Sequence, residues 1–242
     1  MKFGYYILQA TLILTFLFSS KATKLDLTTY YSDKIPIRTG SWTDLINVPI
    51  ACPNRGVFKN FVLLKVDNNR YFQFKYQCYS SLKEEADYGE SIIKQVKLST
   101  KQEWTSNQYS YEITSLNTFP VDCWVDYGLN SFQLYLSNGI KRETICHGTK
   151  PSYSTTLSVE TKRVPIKNYK SIDAMVNLLV GRTEEEDDDV VGYPLRSFKF
   201  MIDYGGNFYF VYAYAKLRNM EVVRKEYERK FEELRNSNTQ QN

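Results

Sequence analysis

Apolar and polar positions along the chain follow the two-residue period of β-structure more than any other. Between Cys52 and Cys78, two runs rich in β-branched and aromatic residues flank a polar tip, Asp67-Asn68-Asn69-Arg70. The pattern predicts a β-hairpin, because these tip residues tolerate the positive φ a tight turn requires. The pattern returns. Phe61 lies nine residues after Cys52, and Phe132 lies nine residues after Cys123. Their lead-ins match too: Leu45 and Leu116 stand seven before the cysteine, Pro49 and Pro120 three before, Ile50 and Val121 two before. The second copy turns at Ser137-Asn138-Gly139, where Asn-Gly favours a type I′ turn, and returns to Cys146. A third copy runs from Phe198 to Ala215 and lays over Phe61 to Cys78 without a gap. That alignment puts Tyr209 on Phe72, Asp189 at the place of Cys52 and Ala215 at the place of Cys78.

The third copy thus lacks both cysteines together, as expected if they are partners elsewhere. Four cysteines allow three pairings, and the repeat selects Cys52–Cys78 and Cys123–Cys146. Closing loops of this length contributes about 3 kcal/mol each in the chain-entropy model.

Further strands are expected over 91–99, 104–113 and 155–164, and an entry strand and turn between Lys24 and Trp42, with Trp42 in the core. Ser171 to Val180 fits a short helix, Ser171 its N-cap and Gly181 its end, or equally a buried strand. The period changes after Lys216. Met220, Val223, Tyr227, Phe231 and Leu234 fall on one helical face, with Glu221–Lys225 and Glu226–Lys230 pairs outside it. Such a helix either packs back on the β domain or offers its face to a second copy or a partner helix.

The fold class expected is therefore mainly β: three related β-hairpin modules packed in one domain, with copies near 42–80, 113–148 and 189–215. A C-terminal amphipathic α-helix over 216–236 and a disordered tail over 237–242 follow. Residues 1–22 read as a secretory signal peptide: Lys2, an apolar run from Tyr5 to Phe18, and a small-x-small site at Ser20-Lys21-Ala22. Paired cysteines agree with an oxidising compartment, so the expected localisation is secreted or in the lumen of the secretory pathway.

Composition narrows the chemistry. The formal charge of +4 on 242 residues is spread without a Lys/Arg block, which leaves no nucleic-acid groove. Tyr is abundant, at 20 residues, serving as strand filler or as a binding surface with a polar tip. Glu184 to Asp189 is a run of six carboxylates that lacks the spacing and central Gly of an EF-hand loop, and reads as a solvated loop rather than a Ca²⁺ site. The one histidine, His147, stands beside a paired cysteine. With no G-x-S-x-G, Walker loop or C-x-x-C, no catalytic, metal or cofactor residues are assigned.

Trp42, Cys52-Pro53 and the run Asn69-Arg70-Tyr71-Phe72-Gln73-Phe74 leading to Cys78 resemble the dermatopontin family over roughly residues 42–78. Asn69 stands where the family has Asp and Phe72 where it has Trp, and no functional residues carry over. The resemblance implies an extracellular, non-enzymatic β-rich module associated with matrix assembly and adhesion. The expected function is a secreted non-catalytic binding or matrix/adhesion module whose partner is an extracellular protein or glycan. The alternatives are a lumen-facing subunit of a membrane complex held by an uncleaved signal anchor, and a secreted hydrolase.

Overall fold

The computed structural model describes residues 26–54, 56–80, 102–103, 112–117, 119–123, 127–136, 140–148, 155–183, 190–218 and 227–233. Three long hairpins dominate it. They are β4 (Val57–Val66) with β5 (Tyr71–Tyr79), β8 (Tyr127–Leu136) with β9 (Ile140–Gly148), and β14 (Leu195–Ile202) with β15 (Asn207–Arg218). Asp67, Asn68 and Asn69 at the first tip all take positive φ, at 52°, 56° and 63°, as their residue types permit. Each hairpin is the centre of an antiparallel sheet, and none of the three sheets closes on itself.

A short strand precedes each hairpin: β3 (Ile50–Ala51), β7 (Pro120–Asp122) and β12 (Leu179–Gly181). None of these pairs with its own hairpin. β3 pairs with β8, β7 with β14, and β12 with β4, so each module lends its lead-in strand to the next and the third lends to the first. The register repeats as well. Ile50 lies opposite Phe132, Val121 opposite Phe198 and Val180 opposite Phe61. These pairings make a closed cycle of three modules about an approximate threefold axis.

The remaining strands fill the outer edges. β1 (Leu27–Tyr31) and β2 (Ile35–Pro36) flank β5, and β6 (Gln102–Glu103) flanks β9. β10 (Thr155–Glu160), β11 (Val164–Pro165) and β13 (Val190–Gly192) flank β15.

Phe61, Phe132 and Phe198 meet on the axis, with ring centroids 4.9, 4.9 and 5.3 Å apart. These tilted, edge-on contacts put the positive rim of one ring on the negative face of the next. Before each lead-in strand the chain makes a single 3-10 turn: Trp42–Leu45, Ile113–Leu116 and Asp173–Met175. Ser171 to Val180 is thus neither one helix nor one strand, but a turn whose first N–H, that of Asp173, bonds Ser171 Oγ, followed by a strand. The turns bury Trp42 with Leu45, Ile113 with Leu116, and Ile172 with Met175 at equivalent places. A cavity of about 20 Å³ beside the ring triangle is lined by apolar side chains, Leu45 and Met175 of these turns among them.

Each hairpin carries a β-bulge at the same position, and its extra residue is a buried polar one: Lys59, Asn130 and Arg196. Asn130 shows what the bulge does. Its side-chain amide donates to the carbonyls of Cys52 (2.9 Å) and Gly56 (2.6 Å), fastening the loop that leaves module one's lead-in.

The structure joins Cys52 to Cys78 and Cys123 to Cys146. Each bridge runs from the end of a lead-in strand, docked on the neighbouring sheet, back to the chain's own hairpin, and so ties two sheets together. In module three the equivalent places are Arg182 and Tyr214, not Asp189 and Ala215. Two features of the chain shift the alignment. Seven extra residues separate Arg182 from Leu195, compared with Cys52 to Phe58. The return strand also comes back one residue sooner, so Phe198 faces Tyr212 where Phe61 faces Tyr76, and Phe208 rather than Tyr209 takes the place of Phe72. The third module therefore begins well before residue 189.

Candidate binding surfaces on the hairpin tips

Among the described residues the framework buries most aromatic side chains, and two of those left exposed, Tyr169 and Tyr204, lie at the third hairpin's tip. In module three the tip is built around Asp203. Its carboxylate accepts the backbone N–H groups of Gly205 (2.9 Å) and Asn207 (3.0 Å), the Asn207 side-chain amide (3.1 Å) and the Arg163 guanidinium (3.1 Å). The Asn207 backbone N–H foremost, with its side-chain amide, the Gly205 N–H and Arg163, holds this carboxyl below the usual carboxylate range. Arg163 lies 4.5 Å over the Tyr209 ring and also pairs with Glu160.

Two tyrosines stand out of this braced loop. Tyr204 is fully exposed and Tyr169 is 41% exposed. The Tyr169 hydroxyl rests on Gly206, where a Cβ would fall 2.7 Å from it. Gly206 also has φ +71°, a conformation that favours glycine. Its carbonyl accepts the N–H of Ile166 (2.9 Å), which brings the segment after β11 alongside the tip.

Module one builds its tip in the same way with different residues. Lys34 pairs with Asp67 at 2.7 Å, and Arg70 Nε donates to the Asp67 carbonyl. Lys34-Ile35-Pro36-Ile37 and Arg163-Val164-Pro165-Ile166 occupy equivalent places, a basic residue before a short strand with proline second. This shared tetrapeptide is a signal present in the sequence that an alignment anchored on the cysteines and hairpins passes over.

The third seam is non-covalent. Arg182 donates to the Tyr214 hydroxyl (3.0 Å), and its guanidinium lies 4.1 Å from the Tyr193 ring centre and 5.3 Å from that of Tyr214. Cation–π contact and hydrogen bond together do there what a disulfide does in the other two modules. Tyr79 closes the cluster by accepting the backbone N–H of Tyr193 (3.0 Å). Burial pushes the Tyr79 hydroxyl up to about 12, against the opposing pull of that N–H and of Arg182.

Of the predicted helix face, Tyr227 and Phe231 lie in a helix over 227–233 and are 65% and 70% exposed. At these two positions the helix does not pack back on the β domain. Arg229 and Glu233 pair along it at 3.4 Å. Met220, Val223 and Leu234 lie outside the described residues, as do residues 1–22, read as a signal peptide, the acidic run and the tail. Among the described residues no three His, Cys, Asp or Glu side chains are grouped to hold a metal ion, and no helix is long and apolar enough to cross a membrane. The two bridges are of the kind that persists in an oxidising extracellular or lumenal compartment. No family model, curated protein or solved structure matches this chain.

Proposed function

We propose that the protein is a secreted, non-catalytic binding module that presents the tip of its third hairpin to an extracellular glycan or protein. One observation carries the reading: Tyr204 is fully exposed on a loop held by four hydrogen bonds to Asp203. A tyrosine on a loop whose backbone is already held supplies contact area with little further loop ordering on binding. The disulfides and the resemblance of residues 42–78 to dermatopontin support the extracellular setting. The test is a glycan array and an extracellular-matrix overlay, each with wild-type protein and with Tyr204→Ala. Binding that is lost in the variant, while its circular dichroism is unchanged, supports the reading. Binding that survives it moves the site elsewhere.

A further inference from the structure

The charges around the module-three tip are unevenly committed. The acids there, Glu160 and Asp203, are both engaged with Arg163, and Asp203 also with the amides of its loop. The neighbouring cations are not. Lys162, Lys167 and Lys170 are exposed, and no carboxylate among the described residues pairs with any of them. Lys167 follows Ile166, whose N–H bonds Gly206, so it lies beside the tip, and Tyr169 stands between Lys167 and Lys170. Lys162 precedes the Arg163 that braces Asp203. The result is two exposed tyrosines, Tyr204 on the braced loop and Tyr169 on the segment that Ile166 fastens to it, with three unpaired ammonium groups along that same segment. Module one differs in its rings rather than in all its cations: Lys34 is taken up by Asp67 and Arg38 is exposed at the place of Lys167, but its tip residues, Asp67 to Arg70, include no aromatic ring.

On the reading that this tip is a ligand surface, we infer that its ligand is an acidic saccharide, bearing carboxylate or sulfate groups. The rings offer flat faces for the apolar faces of sugar rings, and the lysines stand ready for the acidic substituents. A long acidic peptide satisfies the charge and leaves the exposed rings without a role, which is why the saccharide is favoured.

The experiment uses the full chain with both disulfides intact. Heparin is the acidic probe, dextran the neutral one, and poly-glutamate the competitor. Binding to heparin should persist at about 0.15 M salt, where charges beyond about 8 Å are screened. Lys167→Ala with Lys170→Ala should weaken it about tenfold, as two exposed charge contacts would. Tyr204→Ala should weaken it further, and poly-glutamate at equal charge should compete poorly. Lys75→Ala, an exposed cation on module one's sheet, should leave affinity unchanged.

Equal competition by poly-glutamate, with no effect of Tyr204→Ala, would overturn the saccharide in favour of an acidic peptide. Dextran binding that is insensitive to the lysines would overturn the acidic ligand and leave the tip as a binding surface. If no glycan or matrix protein bound at all, the reading of the tip itself would fall.

Discussion

Phe61, Phe132 and Phe198 are each the other two's neighbour, so truncating one leaves two rings with an empty side. Phe198→Ala should cost about 3–5 kcal/mol in denaturant unfolding, within the range for buried Phe truncation. Phe61→Ala should cost a similar amount, and the double variant less than their sum, because the 61–198 contact is lost only once. At Tyr79 the effect is pH-dependent. Its hydroxyl titrates near 10 when unfolded and near 12 when folded, so its contribution is complete below pH 10 and lost as pH rises to 12. Tyr79→Phe should remove that alkaline loss and cost about 1–2 kcal/mol at neutral pH, since the buried Tyr193 N–H loses its acceptor; thermal melts at pH 8 and pH 11 read both. Phe61 and Phe132 were legible in the sequence because their spacing from a cysteine repeats, and Phe198 because its hairpin lays over that of Phe61. Arg142 was not. It occupies the place of Phe74 and Phe210 in the second hairpin, 2% exposed, with Asp122 2.5 Å away. Strand alternation does not announce a cation at a core position, because the carboxylate that makes it tolerable sits on another strand.

At the scale of elements, the hairpins could be read from local pattern, since each is specified within about thirty residues of chain, and the two disulfides from the comparison of copies. The lead-in strands could not. Two or three residues long, they carry no period of their own, and their partners lie in another module. The same limit hid Arg182. Its identity as the third closure depends on β12 docking against β4, and the seven-residue insertion moves it out of any ungapped alignment. Equivalence of the three seams gives a direct test: Arg182→Cys with Tyr214→Cys should oxidise to a third bridge. Intact mass should show no free thiol, and stability should rise by up to about 3 kcal/mol, less the lost cation–π contacts. The helix was legible from its apolar stripe, but whether that stripe packs on the β domain was not, because a stripe names a face and not its partner. With both side chains exposed, Tyr227→Asp plus Phe231→Asp should leave the melting temperature of the β domain unchanged; a fall of several degrees would mean that the helix is part of its core.

At the scale of the whole molecule, stability is shared around the cycle rather than stored in any module. A chain ended at residue 154 would lose β14 and its Phe198, strand β7 would have no hairpin to join, and β4 would lose β12. Such a fragment should fail to give the cooperative unfolding transition of the full chain by circular dichroism, even with Cys52–Cys78 and Cys123–Cys146 formed.

The exchange of lead-in strands also says what one module alone would become. Residues 26–80 hold a hairpin that needs a foreign strand and a strand that needs a foreign hairpin, each with the same register around the phenylalanine. Neither need can be met within one copy, and both are met when three copies pass their strands in one direction around a ring. A peptide of one module should therefore sediment as a trimer, and the present chain has the form of such a trimer fused end to end. Held in one chain, the copies need not be alike: one seam is closed by Arg182 and Tyr214 where the other two have sulfurs, and the third tip carries an exposed tyrosine that the first does not.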